Sequence, residues 1–272
     1  MKRNKVILGF ALALLLVACA TNPFTGKKTI ALVPNSQLFP TAFAQYNQFL
    51  NENNVVTGTK DAEMIQRVGQ RIAVAAERYL NANGHQGYLN DYKWEYNLVK
   101  DETVNAWCMP GGKIVFYTGI LPIAQNEAGV AAIMGHEVAH ALANHGQQRM
   151  SAGILQQLGA VAGNVAIKDD QTRAIFNQAY GIGSQLGVML PFSRSHETES
   201  DLIGIYLMAI AGYNPDEAAG LWKRMKAKSG GQAPPEFMST HPSNDTRIAN
   251  LTKWAPQAKA EAKKYGVTTF RN

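Results

Sequence analysis

Apolar side chains recur at helical spacing along most of this chain. Between 61 and 80, Met64, Ile65, Val68, Ile72, Ala75 and Ala76 fall on one helix face, and residues 36–53 share the pattern. From Glu127 to about Asn144 the run is apolar on nearly every side, through Val130, Ala131, Ile133, Met134, Ala141 and Leu142. That predicts a buried helix, with Gly146 as its stop. Further helices are predicted over 147–167 and 171–190, both rich in Ala and Gly, and over 195–211. Asn214-Pro215-Asp216-Glu217 reads as a helix start: a cap, a proline in the first turn, then acids near the positive dipole end. That helix should run to about Lys228. Ser229–Ser243 reads as loop, followed by a short helix from Asp245 and a last one from Pro256 to Tyr265.

Two-residue periodicity is confined to the middle of the chain. Trp94–Val99 alternates as a strand does. Ala106–Cys108 and Lys113–Thr118 read as strands on either side of Met109-Pro110-Gly111-Gly112. This tetrapeptide suits a type II turn, because Pro presets the second position and Gly supplies positive φ at the third. The expected fold class is α+β, mostly helical, with one small antiparallel sheet.

Composition narrows the function. With 46% hydrophobic and 17% charged residues, the 272-residue chain is no disordered protein. Two cysteines make no disulfide scaffold. Lys2, Arg3 and Lys5 precede Val6–Ala18, an uncharged apolar run. It is shorter than the roughly 20 residues of a spanning helix and suits a secretory leader over 1–18. Leu16-Val17-Ala18-Cys19 resembles the bacterial lipobox, which implies cleavage before Cys19 and its acylation. The expectation is a protein attached to a membrane through lipidated Cys19, in the bacterial cell envelope at the outer membrane facing the periplasm. Residues 19–35 would be a turn-rich tether leading to a domain over 36–272. Removing the three leader cations lowers the net charge from +6 to +3. With no clustered basic patch, a nucleic-acid partner is excluded. Cys108 is then the remaining thiol, either an inert core residue or a regulatory one.

His136-Glu137-Val138-Ala139-His140 carries the chemistry. Residues four apart share a helix face, so both imidazoles can reach one metal ion. Zinc takes His ligands and lowers the pKa of its water to about 7. Glu137, one residue round the helix, can take a proton as water attacks a carbonyl. A third ligand is needed. Ala143 and Gly146 stand where a metzincin has Gly and His, which excludes that class. His145, five residues past His140, is expected to point away. Glu197 and Asp201, four apart, are the better candidates. One carboxylate can bind metal while the other accepts the free ring N–H of a ligating His. An acidic first turn favoured by the helix dipole explains such residues equally well, and Glu199 fits that description. Taken alone, His241-Pro242 reads as a structural loop and Arg247 as a solvated helix charge.

Four blocks together resemble the HtpX-type zinc metallopeptidases, the family that includes the prenyl-protein (CAAX) proteases, and most of all their bacterial lipoprotein members. These are Asn105-Ala106-Trp107 with Pro110-Gly111-Gly112-Lys113-Ile114 and Gly119, then His136-Glu137-x-x-His140, then Glu197-x-x-x-Asp201, and His241-Pro242 with Arg247. They span about 60–255. The resemblance implies a zincin-like domain with one Zn2+ per chain on His136, His140 and Glu197. It implies Glu137 as general base and acid, and Asp201 as the residue orienting a ligand. His241 and Arg247 would face the site and stabilise the oxyanion, although in some relatives the matching His can close onto the zinc. Asn105, Ala106, Trp107 and Gly112 would bind substrate, an extended peptide adding as a strand to an edge at 105–109 or 113–117. The function implied is a metalloendopeptidase acting on misfolded or damaged envelope proteins. The rival reading is a lipoprotein chaperone or assembly factor whose zinc site is latent or structural.

Overall fold

A computed structural model describes residues 19–166, 169, 190–228, 236–241 and 245–272. The expected leader over 1–18 and most of the helix expected over 171–190 lie outside the described residues.

The hydrophobic pattern is realised as a helical layer against one face of a small sheet. Helix α1 spans Asn35–Glu52 and α2 spans Lys60–Ala82. Thr59 caps α2 by accepting a hydrogen bond from the Ala62 amide at 3.2 Å. Its inward face buries Ile65, Val68, Ile72, Ala75, Ala76 and Leu80. Strand β3 is Val55–Val56, β4 is Glu95–Val99, β5 is Ala106–Met109 and β6 is Lys113–Tyr117. Their order is β3-β4-β6-β5. The hairpin β5–β6 turns through Gly111 at φ +84°, and the Gly112 amide closes it on the Met109 carbonyl at 3.2 Å. The mostly helical α+β class stands, but the sheet is mixed, because β4 pairs parallel with β6.

Alternation along β6 divides the core. Ile114 and Phe116 join Ala106 and Cys108 against the main helical cluster, whereas Val115 lies on the opposite face with Tyr46 and Val99. Trp107 packs on that second face, edge-on to Phe49 and Tyr46 at 5.0 and 6.0 Å.

After a short α3 (Leu121–Ala124), helix α4 spans Glu127–Leu142 and is buried from Ala128 onward. Asn126 caps it through the Gly129 amide at 2.8 Å. Helix α5 is His145–Ala166, α6 Leu190–Ile210, α7 Asp216–Lys228, α8 Glu236–Thr240 and α9 Asp245–Lys263. Two of these differ from expectation. The 229–243 stretch contains α8, and α9 runs unbroken through Pro256 where two helices were expected. Proline removes only one helical N–H. The burial of Leu251, Ala255, Ala258 and Ala262 on one side of α9 outweighs that loss.

The contact that matters most for the site is α4 against α6. A Cβ on Gly135 would come within 2.7 Å of the Gly204 carbonyl oxygen, and one on Gly204 within 2.8 Å of the Gly135 carbonyl carbon. Two helices can cross this closely only over paired glycines. The crossing brings the next turns of α6, with Asp201 and Glu197, alongside His136 and His140. Gly204→Ala is expected to push the helices apart and destabilise the fold by about 1–3 kcal/mol. A lowered urea midpoint at unchanged slope would register it.

The 19–35 stretch, expected as a tether, is folded onto the domain. Strands β1 (Cys19–Thr21) and β2 (Lys28–Ile30) form an antiparallel hairpin. Phe24 stacks on Tyr79 at 4.9 Å, and the Leu32 amide donates to Ser151 Oγ at 2.9 Å.

Candidate metal centre

Helix α4 delivers His136 and His140 one turn apart, both buried. Their Nε2 atoms are 3.1 Å from each other. Glu197 on α6 brings one oxygen to 3.3 Å from His136 Nε2 and the other to 3.2 Å from His140 Nε2. His241, just after α8, places Nδ1 at 3.1 Å from His136 Nε2 and 2.9 Å from Glu197 Oε2. Among the described residues these four form a group whose donor atoms lie within 4.8 Å of one another and could hold a metal ion. A tetrahedron of ligands at zinc-like distances has edges of about 3.3 Å. The triangle made by His136, His140 and Glu197 matches that size, and His241 Nδ1 stands at a fourth corner.

The electrostatics suit a cation. Burial would raise the Glu197 carboxyl, but hydrogen bonds from His136, His140 and His241 prevail and hold it far below the usual carboxylate range. Burial pulls His140 well below its ordinary value, so its ring is neutral and offers a lone pair. Burial and Arg247 also depress His136, yet Asp201 and Glu197 overcome them and push it up to about 9. Carboxylates that draw a proton to this ring would draw a metal cation in the same way.

Glu137 is not part of the group. It is buried, and its Oε1 has no hydrogen-bond partner; His241 Nε2 lies 3.6 Å from it. Burial raises its pKa, partly countered by His241. A carboxylate in this condition is ready to accept a proton.

Behind His136, Asp201 Oδ1 lies 3.0 Å from Nδ1. Arg247 on α9 donates from Nη2 to Asp201 Oδ1 at 2.6 Å, forms an ion pair with Asp201 Oδ2 (Nε at 2.6 Å), and reaches Glu197 through Nη1 at 3.2 Å. Its guanidinium lies 3.4 Å from the Trp222 ring centroid. The arginine that reads as a solvated charge in isolation is 5% exposed.

The expected substrate residues are placed unequally. Strand β6 lies between β4 and β5, so of the two candidate edges only 105–109 is at the margin of the sheet. Ala106 and Trp107 contribute backbone there, with the Trp107 indole turned to the face under α1 and its Nε1 on Tyr117 Oη at 3.3 Å. Asn105 is buried at the start of the strand, its Oδ1 accepting from the Ala106 amide at 2.9 Å. Gly112 belongs to the turn, where at φ +89° a Cβ would strike Trp94. Burial raises the Cys108 thiol well above its usual range, which favours its protonated form.

Two readings of single residues are corrected. His145 does not point away. The chain leaves α4 through Asn144 at φ +56°, so helical phase no longer applies, and His145 Nδ1 meets His140 Nδ1 at 3.0 Å. Glu199 is no first-turn acid, because α6 starts at Leu190; it is buried against His145 Nε2 at 2.9 Å.

A buried His-Glu-x-x-His helix joined by a carboxylate from a second helix defines a metallopeptidase-type site. Residues 59–255 match the family model Peptidase family M48, and the chain belongs to that family. It is 36% identical over 205 residues to the mitochondrial metalloendopeptidase OMA1 of Saccharomyces cerevisiae, covering 71% of this chain and 56% of that one. Its Schizosaccharomyces pombe counterpart is 36% identical over 177 residues, 64% and 50% of the respective chains. The beta-barrel assembly-enhancing protease of Escherichia coli is 26% identical over 195 residues, 67% and 39%. The chain thus spans about half the length of the curated relatives it matches, or less. Long matches to mitochondrial proteins of fungi, a plant and animals overturn the expected bacterial outer-membrane location.

Proposed function

We propose that this chain is a zinc-dependent metalloendopeptidase of the HtpX-type, lipoprotein kind, hydrolysing peptide bonds in misfolded or damaged proteins. The observation that carries the reading is the triangle of His136 Nε2, His140 Nε2 and Glu197, with edges of 3.1–3.3 Å, beside Glu137, whose buried Oε1 has no hydrogen-bond partner. A zinc ion held there supplies Lewis-acid polarisation and makes water acidic enough to ionise near neutral pH. The remaining work falls to the protein. Glu137 takes the proton from the attacking water and returns it to the leaving amide nitrogen. Asp201 holds the His136 ring through Nδ1, and Arg247 holds Asp201. The outer margin of β5 offers backbone groups to an extended peptide, a mode that tolerates varied sequence and suits unfolded substrates.

Chelation should abolish hydrolysis of unfolded casein, and stoichiometric zinc should restore it. Full activity in the chelated protein would overturn the proposal. Attachment through acylated Cys19 belongs to the same reading, supported by Leu16-Val17-Ala18-Cys19. Cys19→Ala should move the protein from the membrane to the soluble fraction, whereas unchanged fractionation would exclude that attachment.

The position of His241 favours a second reading of the resting site. Its Nδ1 stands where a fourth ligand belongs, so the ring must swing away before water and substrate can enter. Zinc content without turnover, persisting in His241→Ala, would identify a structural or permanently latent centre instead.

A further inference from the structure

His136 and His140 are supported in different ways, and the difference leads to the amino-terminal hairpin. His140 turns Nε2 toward the proposed metal position, so the ring proton belongs on Nδ1 and must be donated. Its partner is His145 Nδ1 at 3.0 Å. For that atom to accept, His145 must carry its own proton on Nε2, which faces Glu199 Oε2 at 2.9 Å. The other oxygen of Glu199 accepts from Asn22 Nδ2 at 3.0 Å and Thr25 Oγ1 at 2.7 Å. Every donor in the chain Asn22/Thr25–Glu199–His145–His140 then has an acceptor of the right kind. His145 is fully buried and stacked on His196 at 4.0 Å and 9°, while His196 Nε2 lies 3.1 Å from Gln148 Oε1. Ser200 Oγ also approaches His145 Nδ1, at 3.2 Å. The ring is therefore held in plane as well as in tautomer.

We infer that His145 and Glu199 are positioning residues for His140, and that Asn22 and Thr25 make the amino-terminal hairpin a working part of the metal centre. Glu199 does for His140, through one intervening imidazole, what Asp201 does directly for His136. Such outer partners fix the orientation of a ligating ring and commonly contribute 10–100-fold to metal affinity. The inference rests on the reading of His140 as a ligand. It adds that a loop more than a hundred residues away in sequence sets how firmly the metal is held.

The hairpin supplies substitutions that leave the ligands untouched. Thr25→Val removes the hydroxyl donor at nearly constant shape, and Thr25→Ser restores it. Asn22 Oδ1 also accepts from the Phe24 amide at 2.8 Å, so Asn22→Asp keeps that turn while setting a carboxylate against Glu199. The measurements, on the full chain, are the rate of zinc transfer to a chromophoric chelator, the visible spectrum of the cobalt-loaded protein, and urea stability of the metal-free form. Glu199→Gln should accelerate zinc loss about 10–100-fold and shift the cobalt bands. Thr25→Val should accelerate it about 2–10-fold, the range for one lost hydrogen bond, and Asn22→Asp by at least as much because it adds a like charge beside Glu199, with Thr25→Ser at the wild-type rate. Unchanged transfer rates and spectra in all these variants, with metal still lost in His140→Ala, would overturn the inference and leave the metal site standing. Wild-type protein that binds no metal would instead overturn the site itself. Faster zinc loss that merely follows a fall in metal-free stability, with unshifted cobalt bands, would reduce the hairpin to a structural support and refute the positioning role.

Discussion

Glu137→Gln is expected to lower casein hydrolysis by about 10²–10⁴-fold, the span typical of a lost general base. The loss should fall on kcat, with KM little changed. Glutamine has the same shape and fills the same buried space, but it cannot take a proton. Metal content should be unchanged, because Glu137 lies outside the group of four donors. Stability should hold or rise slightly: the wild-type Oε1 is buried without a partner, and an ionised oxygen in that condition is costly. The combination of an inactive, metal-replete and well-folded variant is specific to a proton-transfer role. Hydrolysis at the wild-type rate would assign the base elsewhere. Joint loss of metal and activity would mean that Glu137 supports the ligands rather than the reaction.

Much of this arrangement was legible in the sequence where local rules decide. The 3.6-residue period marked α2, a long run apolar on nearly every side marked α4, and Pro-Gly-Gly marked the turn at Gly111. What escaped depended on contacts between distant segments. The parallel pairing of β4 with β6 follows from how the hairpin docks, and no local signal announces it. Pro256 looks like a break until the buried alanines beside it are known to hold α9 together. His145 was misjudged because helical phase was carried past Asn144, where the backbone turns to positive φ. Asn22 and Thr25 sit in a turn-rich stretch whose composition suits a linker. Their single informative contact is with Glu199, 177 and 174 residues away. The ligand set itself was open to the residues alone as far as two histidines and a choice of carboxylates. The glycine pair at 135 and 204 then explains physically why Glu197 can approach them.

Arg247→Ala should destabilise the metal-free protein by about 3–5 kcal/mol, the usual result of removing one partner from a buried ionic group. The guanidinium meets both oxygens of Asp201 and one of Glu197, and it covers the Trp222 ring. Without it, two carboxylates at 4% and 9% exposure face each other across His136 with less positive charge to offset them. Arg247→Lys should recover only part of the loss, since an ammonium restores charge but not the planar guanidinium that faces Asp201, Glu197 and the Trp222 ring at once. The choice of metal-free protein matters, because a bound cation would itself offset the carboxylates and hide the effect. Urea unfolding in chelator separates the alternatives. A midpoint that falls in Arg247→Ala and partly recovers in Arg247→Lys means that the arginine builds the site before any metal arrives. A midpoint that does not move would confine Arg247 to the reaction, as a charge facing the oxyanion with no part in holding α9 to α6.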